Sequence, residues 1–256
     1  MLTLRGTSFA AAAATVGATL IHPVPAAALA GAAVSLVGAI GLGVAFPHLG
    51  YFGPAIGHVP GRPGRVALTF DDGPHPDHTR GALDALDAAG GRATFFLVGD
   101  SVDRHADVAR EISARGHEIG LHSRSHDDLL ALRGRRAVDR DFAQAEEIFE
   151  RVLGMRPTLY RPPAGVASPA IHAVARARGY TIVGWSVRGM DGVRTSPERV
   201  RARARRASDG DIVLLHDAIR RRDDVVPAGA RALAGILDDL ADRRLRTVTV
   251  TDLISG

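Results

Sequence analysis

From Arg65 to the C-terminus, segments with the two-residue alternation of strands take turns with segments of helical periodicity, joined by short connections. Few architectures accept that pattern. A strand followed by a crossover helix returns parallel to its predecessor, so the sequence predicts a parallel sheet or barrel wrapped in helices. Strands are expected at 65–71, Ala93–Val98, His117–Leu121, before Tyr160, at Thr181–Val187, Asp211–Leu215 and Thr247–Val250. Helices are expected near His78–Ala89, Val102–Arg115, Arg136–Leu153, Ser168–Arg178 and Pro227–Asp242, with a further one opened by Ser196 as N-cap and Pro197 at the first position. About seven such units predict an α/β fold, a distorted (β/α) barrel with about seven parallel strands.

The chain has 256 residues, enough for one large catalytic domain and a short appendage. Residues 6 to 21 and 24 to 46 are apolar, rich in Ala and Gly and separated by His22-Pro23-Val24-Pro25. Residues 1–46 are therefore expected to act as an apolar membrane anchor or signal segment, preceding the barrel. A helical hairpin, a cleaved signal ending near Ala28-Leu29-Ala30 and a loosely inserted tail are all compatible with that composition, and an uncleaved anchor, by a hairpin or a single span, is the expectation. Residues 47–64, dense in Gly and Pro, are expected to form a linker, and 65–256 the catalytic barrel. The barrel is expected to face outside the cytoplasm. All 32 basic residues are Arg. That uniformity reflects compositional bias, and the Arg runs lack interleaved aromatics, so no nucleic-acid partner is inferred and no protein partner either. Cysteine is absent, which excludes disulfides and thiolate metal sites.

The first strand, RVALTFD, ends in Asp71 and Asp72 and is stopped by Gly73-Pro74. Neighbouring residues on a strand face opposite ways, so the two acids are expected to differ in role: one to hold a cation, the other to take a proton. His122 and His126 follow the third strand with three residues between them. On a helical turn that spacing puts both rings on one face; with Asp72 they would make a two-histidine, one-carboxylate set with open coordination positions, although two surface histidines would read the same way. Arg161, Asp191 and His216 also fall at expected strand ends, and a parallel barrel gathers such ends on one face. His75, His78, His105, His117 and His172 lack that placement and are read as loop or surface residues.

Residues 65–256 resemble the polysaccharide deacetylase domain of carbohydrate esterase family 4. The resemblance is carried by Thr69-Phe70-Asp71-Asp72-Gly73-Pro74, His122-Ser123-Arg124-Ser125-His126, Arg161-Pro162-Pro163-Ala164-Gly165, Trp185 through Asp191, and Leu214-Leu215-His216. It implies one divalent metal, commonly zinc, and removal of acetyl groups from an N-acetylated glycan such as peptidoglycan or a chito-oligosaccharide. Under it Asp72, His122 and His126 hold the metal, Asp71 is the general base and His216 the acid. Arg161 orients Asp71, and Asp191 tunes His216. Pro163, Ala164, Trp185 and Leu214 are expected to contact substrate, with Leu214 lining the acetyl pocket and the Ala164 backbone near the oxyanion. Three positions depart from the family's habit: Ala164 stands where an aromatic residue is common, and Arg188 and Gly192 stand around the fourth motif where an Asp and a Trp are common. An inert sugar-binding barrel, another metallohydrolase such as a phosphoesterase, and a deacylase of a lipid-linked sugar are the alternatives.

Overall fold

The strand that ends in the acid pair is the middle of the sheet. The computed structural model describes residues 53–219 and 224–256, with a few isolated positions between 28 and 38. β1 (Arg65–Asp71) is flanked on one side by β7 (Ile212–His216). On its other side β8 (Arg246–Val248) pairs along its first half and β2 (Thr94–Leu97) along its second. From β2 the sheet continues through β3 (Glu118–Leu121), β4 (Leu159–Tyr160) and β5 (Thr181–Ile182), and β6 (Val187–Arg188) follows β7. The path β5-β4-β3-β2-β1-β7-β6 is seven parallel strands, with β8 as an eighth beside β1. It curls as a half-barrel.

Alternation along β1 sorts the interior into two cores. Val66, Leu68 and Phe70 join the large cluster between sheet and helices, whereas Ala67 joins a smaller one with Phe96, Leu159, Val183, Ile212, Val250 and Leu253. Ala67, Thr69 and Asp71 therefore share the concave side, small or polar residues where the curl leaves little room. The helices that cover the convex side are α1 (His78–Ala88), α2 (Gly99–Arg104), α3 (Ala106–Ala114), α4 (Arg135–Leu153), α5 (Pro169–Ala177), α6 (Pro197–Ala204) and α7 (Ala228–Asp242). α4 buries Val138, Phe142, Ala145, Phe149 and Val152, the stripe its periodicity predicts, and ends on Gly154 at φ +65. Ser168 and Ser196 cap α5 and α6 by accepting from the N–H groups of Ile171 and Arg199.

Three local expectations are corrected. The single helix expected over Val102–Arg115 is two, α2 and α3, broken where His105 leaves helical angles. The strand expected over Thr181–Val187 is interrupted between β5 and β6. At the break the carbonyls of Val183 and Gly184 accept from the Arg161 guanidinium at 3.3 and 2.8 Å, so they are withdrawn from the sheet ladder to solvate a buried cation. The stretch expected to be a linker is, from residue 53 on, bound to the barrel. Ile56 bridges Val183 in parallel and His58 bridges Asp211 in antiparallel fashion, which straps the seam between the β5 and β6 ends of the sheet. Residues 1–46, the expected membrane segment, lie outside the described residues apart from those isolated positions. No helix among the described residues is long and apolar enough to cross a membrane.

Gly120 on β3 lies beside Phe96 on β2, and a Cβ there would run into the Phe96 ring. Gly120→Ala is expected to lower unfolding stability by about 1–3 kcal/mol through overpacking. Gly81→Ala, on α1 with open space around it, should instead be neutral or stabilising by up to about 1 kcal/mol. Urea titrations of the two variants beside the parent check both signs.

Candidate active site

Five of the expected site residues converge at the C-terminal mouth of the curled sheet. A cleft of about 330 Å³ there is lined by Asp71, Asp72, His122, His126 and His216. Ala164, Trp185 and Leu214 form further parts of its wall. Arg161 and Asp191 lie buried behind it, at 0% and 1% exposure. Pro163 is buried in the short turn Pro163–Gly165 and is not among the lining residues.

The backbone around the cleft is held in unusual conformations. Of the six non-glycine residues with positive φ among those described, Asp72, Ser123, His126, Ala164 and Met190 sit in or between cleft-lining segments, and only Arg244 lies elsewhere. Each costs on the order of 1 kcal/mol or more, and such residues persist where the surroundings dictate a side-chain direction. This accounts for two corrections. Asp71 and Asp72 do not diverge as neighbours on a flat strand would. Asp72, at φ +78, is already off the strand, and both carboxylates approach His122 Nε2, at 3.9 Å from Asp71 Oδ2 and 3.5 Å from Asp72 Oδ1. Nor do His122 and His126 share a helical turn. They sit on a loop in which Ser123 and His126 are left-handed and Ser123 Oγ accepts from the His126 N–H, and the ring centres come within 4.9 Å.

The histidine tautomers follow from their partners. His122 Nδ1–H donates to the Arg161 carbonyl at 2.8 Å, and His126 Nδ1 faces Asp128 Oδ1 at 3.1 Å. Both partners can only accept, so each Nε2 turns its lone pair toward Asp72. Asp72 Oδ1 is 3.1 Å from His126 Nε2 yet is buried without a hydrogen bond of good geometry. One ligand atom from each of Asp72, His122 and His126 lies within 4.8 Å of the others. Two inward lone pairs and an orphaned anionic oxygen repel one another unless a cation lies between them, so the residues fit a metal ion. Burial opposes the charge of Asp72; with no cation between them, imidazoles protonated on Nε2 would donate to its carboxylate and hold it well below the ordinary range.

The two proposed proton carriers are each gripped from behind. Arg161 Nη1 donates to Asp71 Oδ1 and Thr69 Oγ1, both at 2.8 Å, leaving Asp71 Oδ2 directed at the cleft. Its guanidinium carbon lies 4.1 Å from the centre of the Phe96 ring. Across the mouth, His216 Nδ1–H donates to Asp191 Oδ1 at 2.9 Å, and the His216 backbone N–H donates to Asp191 Oδ2 at 2.8 Å. Burial alone would lower the His216 pKa, but the Asp191 carboxylate outweighs it and the imidazole is pushed up to about 9.

Asp128, Met190, Val193 and Ile219, which the sequence does not single out, also line the cleft, as do Arg188 and Gly192 of the fourth motif region. Asp128 was legible only as the second acid of a loop; nothing in its spacing marks it as a partner of His126. His75, His117 and His172, read as loop or surface residues, are buried, His75 and His117 in loops and His172 on α5. Asp217 is fully buried, its Oδ2 accepting from the Thr79 hydroxyl, and burial pushes its carboxyl up to about 7. It occupies the space where a side chain at Gly73 would otherwise stand.

A family model described as polysaccharide deacetylase matches residues 58–183. The peptidoglycan-N-acetylglucosamine deacetylase of Bacillus cereus is 35% identical over 203 residues, which cover 77% of this chain and 91% of that protein. A chitooligosaccharide deacetylase from Bradyrhizobium sp. is 33% identical over 59% of this chain and 70% of its own length. Among solved structures, the peptidoglycan deacetylase PdaC from Bacillus subtilis is similar with a TM-score of 0.66 at 32% identity, covering 76% of this chain and 91% of that one. With the motif residues of five strand ends gathered around one cleft on the same fold, this chain belongs to the polysaccharide deacetylase family, hydrolases of the amide bond of N-acetylated sugars.

Proposed function

We propose that the protein removes N-acetyl groups from the amino sugars of peptidoglycan, using one divalent cation held by Asp72, His122 and His126. The convergence of those three donors beside a carboxylate and an imidazole that are each locked by a buried partner is the observation that carries this reading. Two imidazole nitrogens and one carboxylate oxygen, with no thiolate, suit zinc. Peptidoglycan is favoured over chito-oligosaccharides because the relative that matches over most of both chains carries that substrate in its name. A cell-wall substrate in turn favours a barrel outside the cytoplasm, held at the membrane by residues 1–46.

A cation bound there supplies Lewis acidity, polarising the substrate carbonyl and making water more acidic. Asp71, fixed through Oδ1 by Arg161, accepts the proton of the attacking water on Oδ2. Leu214 offers an apolar wall for the acetyl methyl, and the backbone N–H of Ala164 is the candidate donor to the oxyanion. His216, protonated at neutral pH, delivers its proton to the departing amine as the carbon–nitrogen bond breaks, leaving acetate and a free amino sugar. Asp191 stabilises the imidazolium until that transfer and holds the ring in place.

Acetate release from peptidoglycan and chito-oligosaccharides, before and after chelation and zinc addition, tests the proposal. Loss on chelation and recovery with zinc are expected, and a chelation-insensitive rate would overturn the metal assignment. Asp72→Asn should lose metal affinity and regain part of its activity at high zinc. Asp71→Asn should keep its metal and lose turnover by about 10²–10⁴-fold. Metal content of the purified variants beside their rates checks both, and a swapped pattern reverses the two roles.

For Asp191→Asn the sign follows from the raised His216 pKa. His216 serves as acid while protonated, so the rate falls as pH rises through the folded-state value of about 9. Losing the carboxylate lowers that value, and the alkaline limb of the kcat profile should move toward acid while metal content stays unchanged. A full pH–rate profile of the variant reads the shift.

A further inference from the structure

The acids at the cleft have partners inside the protein or face the candidate metal position. Asp71 pairs with Arg161 at 2.8 Å, Asp128 lies 3.1 Å from His126, Asp191 behind the wall holds His216 at 2.9 Å, and Asp72 turns its unpartnered Oδ1 to the candidate metal position. Arg188 is the one arginine on the cleft wall, and no ion pair among the described residues includes it. Outer arginines such as Arg199, Arg231 and Arg246 also lack an ion pair there, so what distinguishes Arg188 is its place on the cleft wall.

Arg188 is also specifically placed. β6 sets it beside Leu214 of β7, two residues before His216, and its guanidinium carbon lies 5.4 Å from the centre of the Trp185 ring. The aromatic face supports a guanidinium without neutralising it. Gly192 packs against the His216 ring, which a Cβ there would approach to 3.0 Å, so the acid is backed by bare backbone on this side. A guanidinium with no carboxylate partner among the described residues thus stands on the wall of the cleft that holds the reaction centre.

We propose that Arg188 selects amino sugars bearing a carboxylate on the oxygen next to the acetamido carbon, the 3-O-lactyl group of a muramic acid unit, over sugars with a free hydroxyl there. This rests on the deacetylase reading above. When the acetamido group is held at the reaction centre, a substituent on the neighbouring carbon has to run along the cleft wall. A carboxylate at its end meets a planar guanidinium that can bind it with two parallel hydrogen bonds. Arg188 is exposed, so water and salt weaken the pair, and the preference is expected to fall as ionic strength rises. The charge exists only on muramyl units whose lactyl carboxyl is not amide-linked to a peptide, so a reaction that cleaves that amide would have to act first.

The test compares kcat/KM on three substrates of equal length: alternating N-acetylglucosamine–N-acetylmuramic acid strands with free lactyl carboxylates, the same strands with those carboxyls converted to primary amides, and chito-oligomers. The parent enzyme is expected to favour the free carboxylate about tenfold or more, with mass spectrometry placing the new amine on the muramyl sugar. Arg188→Gln should collapse that preference, and Arg188→Lys should keep part of it, because a point charge remains without the fork. Equal loss on all three substrates in Arg188→Gln would overturn the inference in favour of a packing role against Trp185, and so would a parent enzyme indifferent to the carboxylate. Absence of acetate release from every substrate by the metal-loaded parent would instead overturn the deacetylase reading, and this inference with it.

Discussion

A guanidinium buried inside the curl of the sheet is the constraint on which the rest depends. Arg161 has no exposed surface, and a charge so placed is tolerated only when its donors are met. Thr69 and Asp71 meet it from β1, and the carbonyls of Val183 and Gly184 meet it from the break between β5 and β6. Phe96 supports its face from β2, and that ring can lie where it does because Gly120 of β3 has no side chain. The Arg161 carbonyl accepts from His122 and so fixes one of the metal-facing rings. One residue thereby orients Asp71 and His122, the proposed base and one proposed ligand, and interrupts the strand between β5 and β6. Removing it would leave Asp71 as an uncompensated buried charge, a change that typically costs several kcal/mol.

The same logic repeats more weakly on the other side of the mouth. Asp191 receives two hydrogen bonds from His216, one from the ring and one from the backbone, which ties the orientation of the imidazole to the end of β7. Gly229, at the start of α7, lacks a side chain where Asp191 would be struck. Asp71 and His216, the proposed base and acid, therefore stand on opposite walls, each oriented by a buried partner of opposite charge. Their orientations are built into the scaffold before any ligand arrives.

Much of this was legible in the sequence because it depends on local rules. The two-residue period of β1, the helical stripe of α4 and the serine caps of α5 and α6 are properties of short windows, and the acids and histidines at strand ends follow once the strands are known. What escaped depends on distant partners. The division of Thr181–Val187 into two strands is imposed by Arg161, twenty residues or more away in the chain. The placement of His122 and His126 comes from left-handed backbone at Ser123 and His126, which no spacing rule announces. Asp71 and Asp72 do have different partners, but this comes from the turn at Asp72 rather than from the opposite faces of a strand. The burial of His75, His117 and His172 likewise comes from tertiary packing.

The strap formed by residues 53–59 gives the half-barrel a mechanical property. The sheet's two ends are not hydrogen-bonded to each other along their length; Ile56 and His58 clasp them at Val183 and Asp211, and Val59 draws close enough to Gly210 that only a residue without a side chain fits there. Any load transmitted along the chain from its N-terminal side reaches this clasp before it reaches β1. A pull would be borne first by the Ile56 and Val59 backbone bonds beside the Val183–Gly184 carbonyls that cradle Arg161. Tension on the segment ahead of the clasp is thereby mechanically connected to the carbonyls that hold Arg161, and through them to the grip on Asp71.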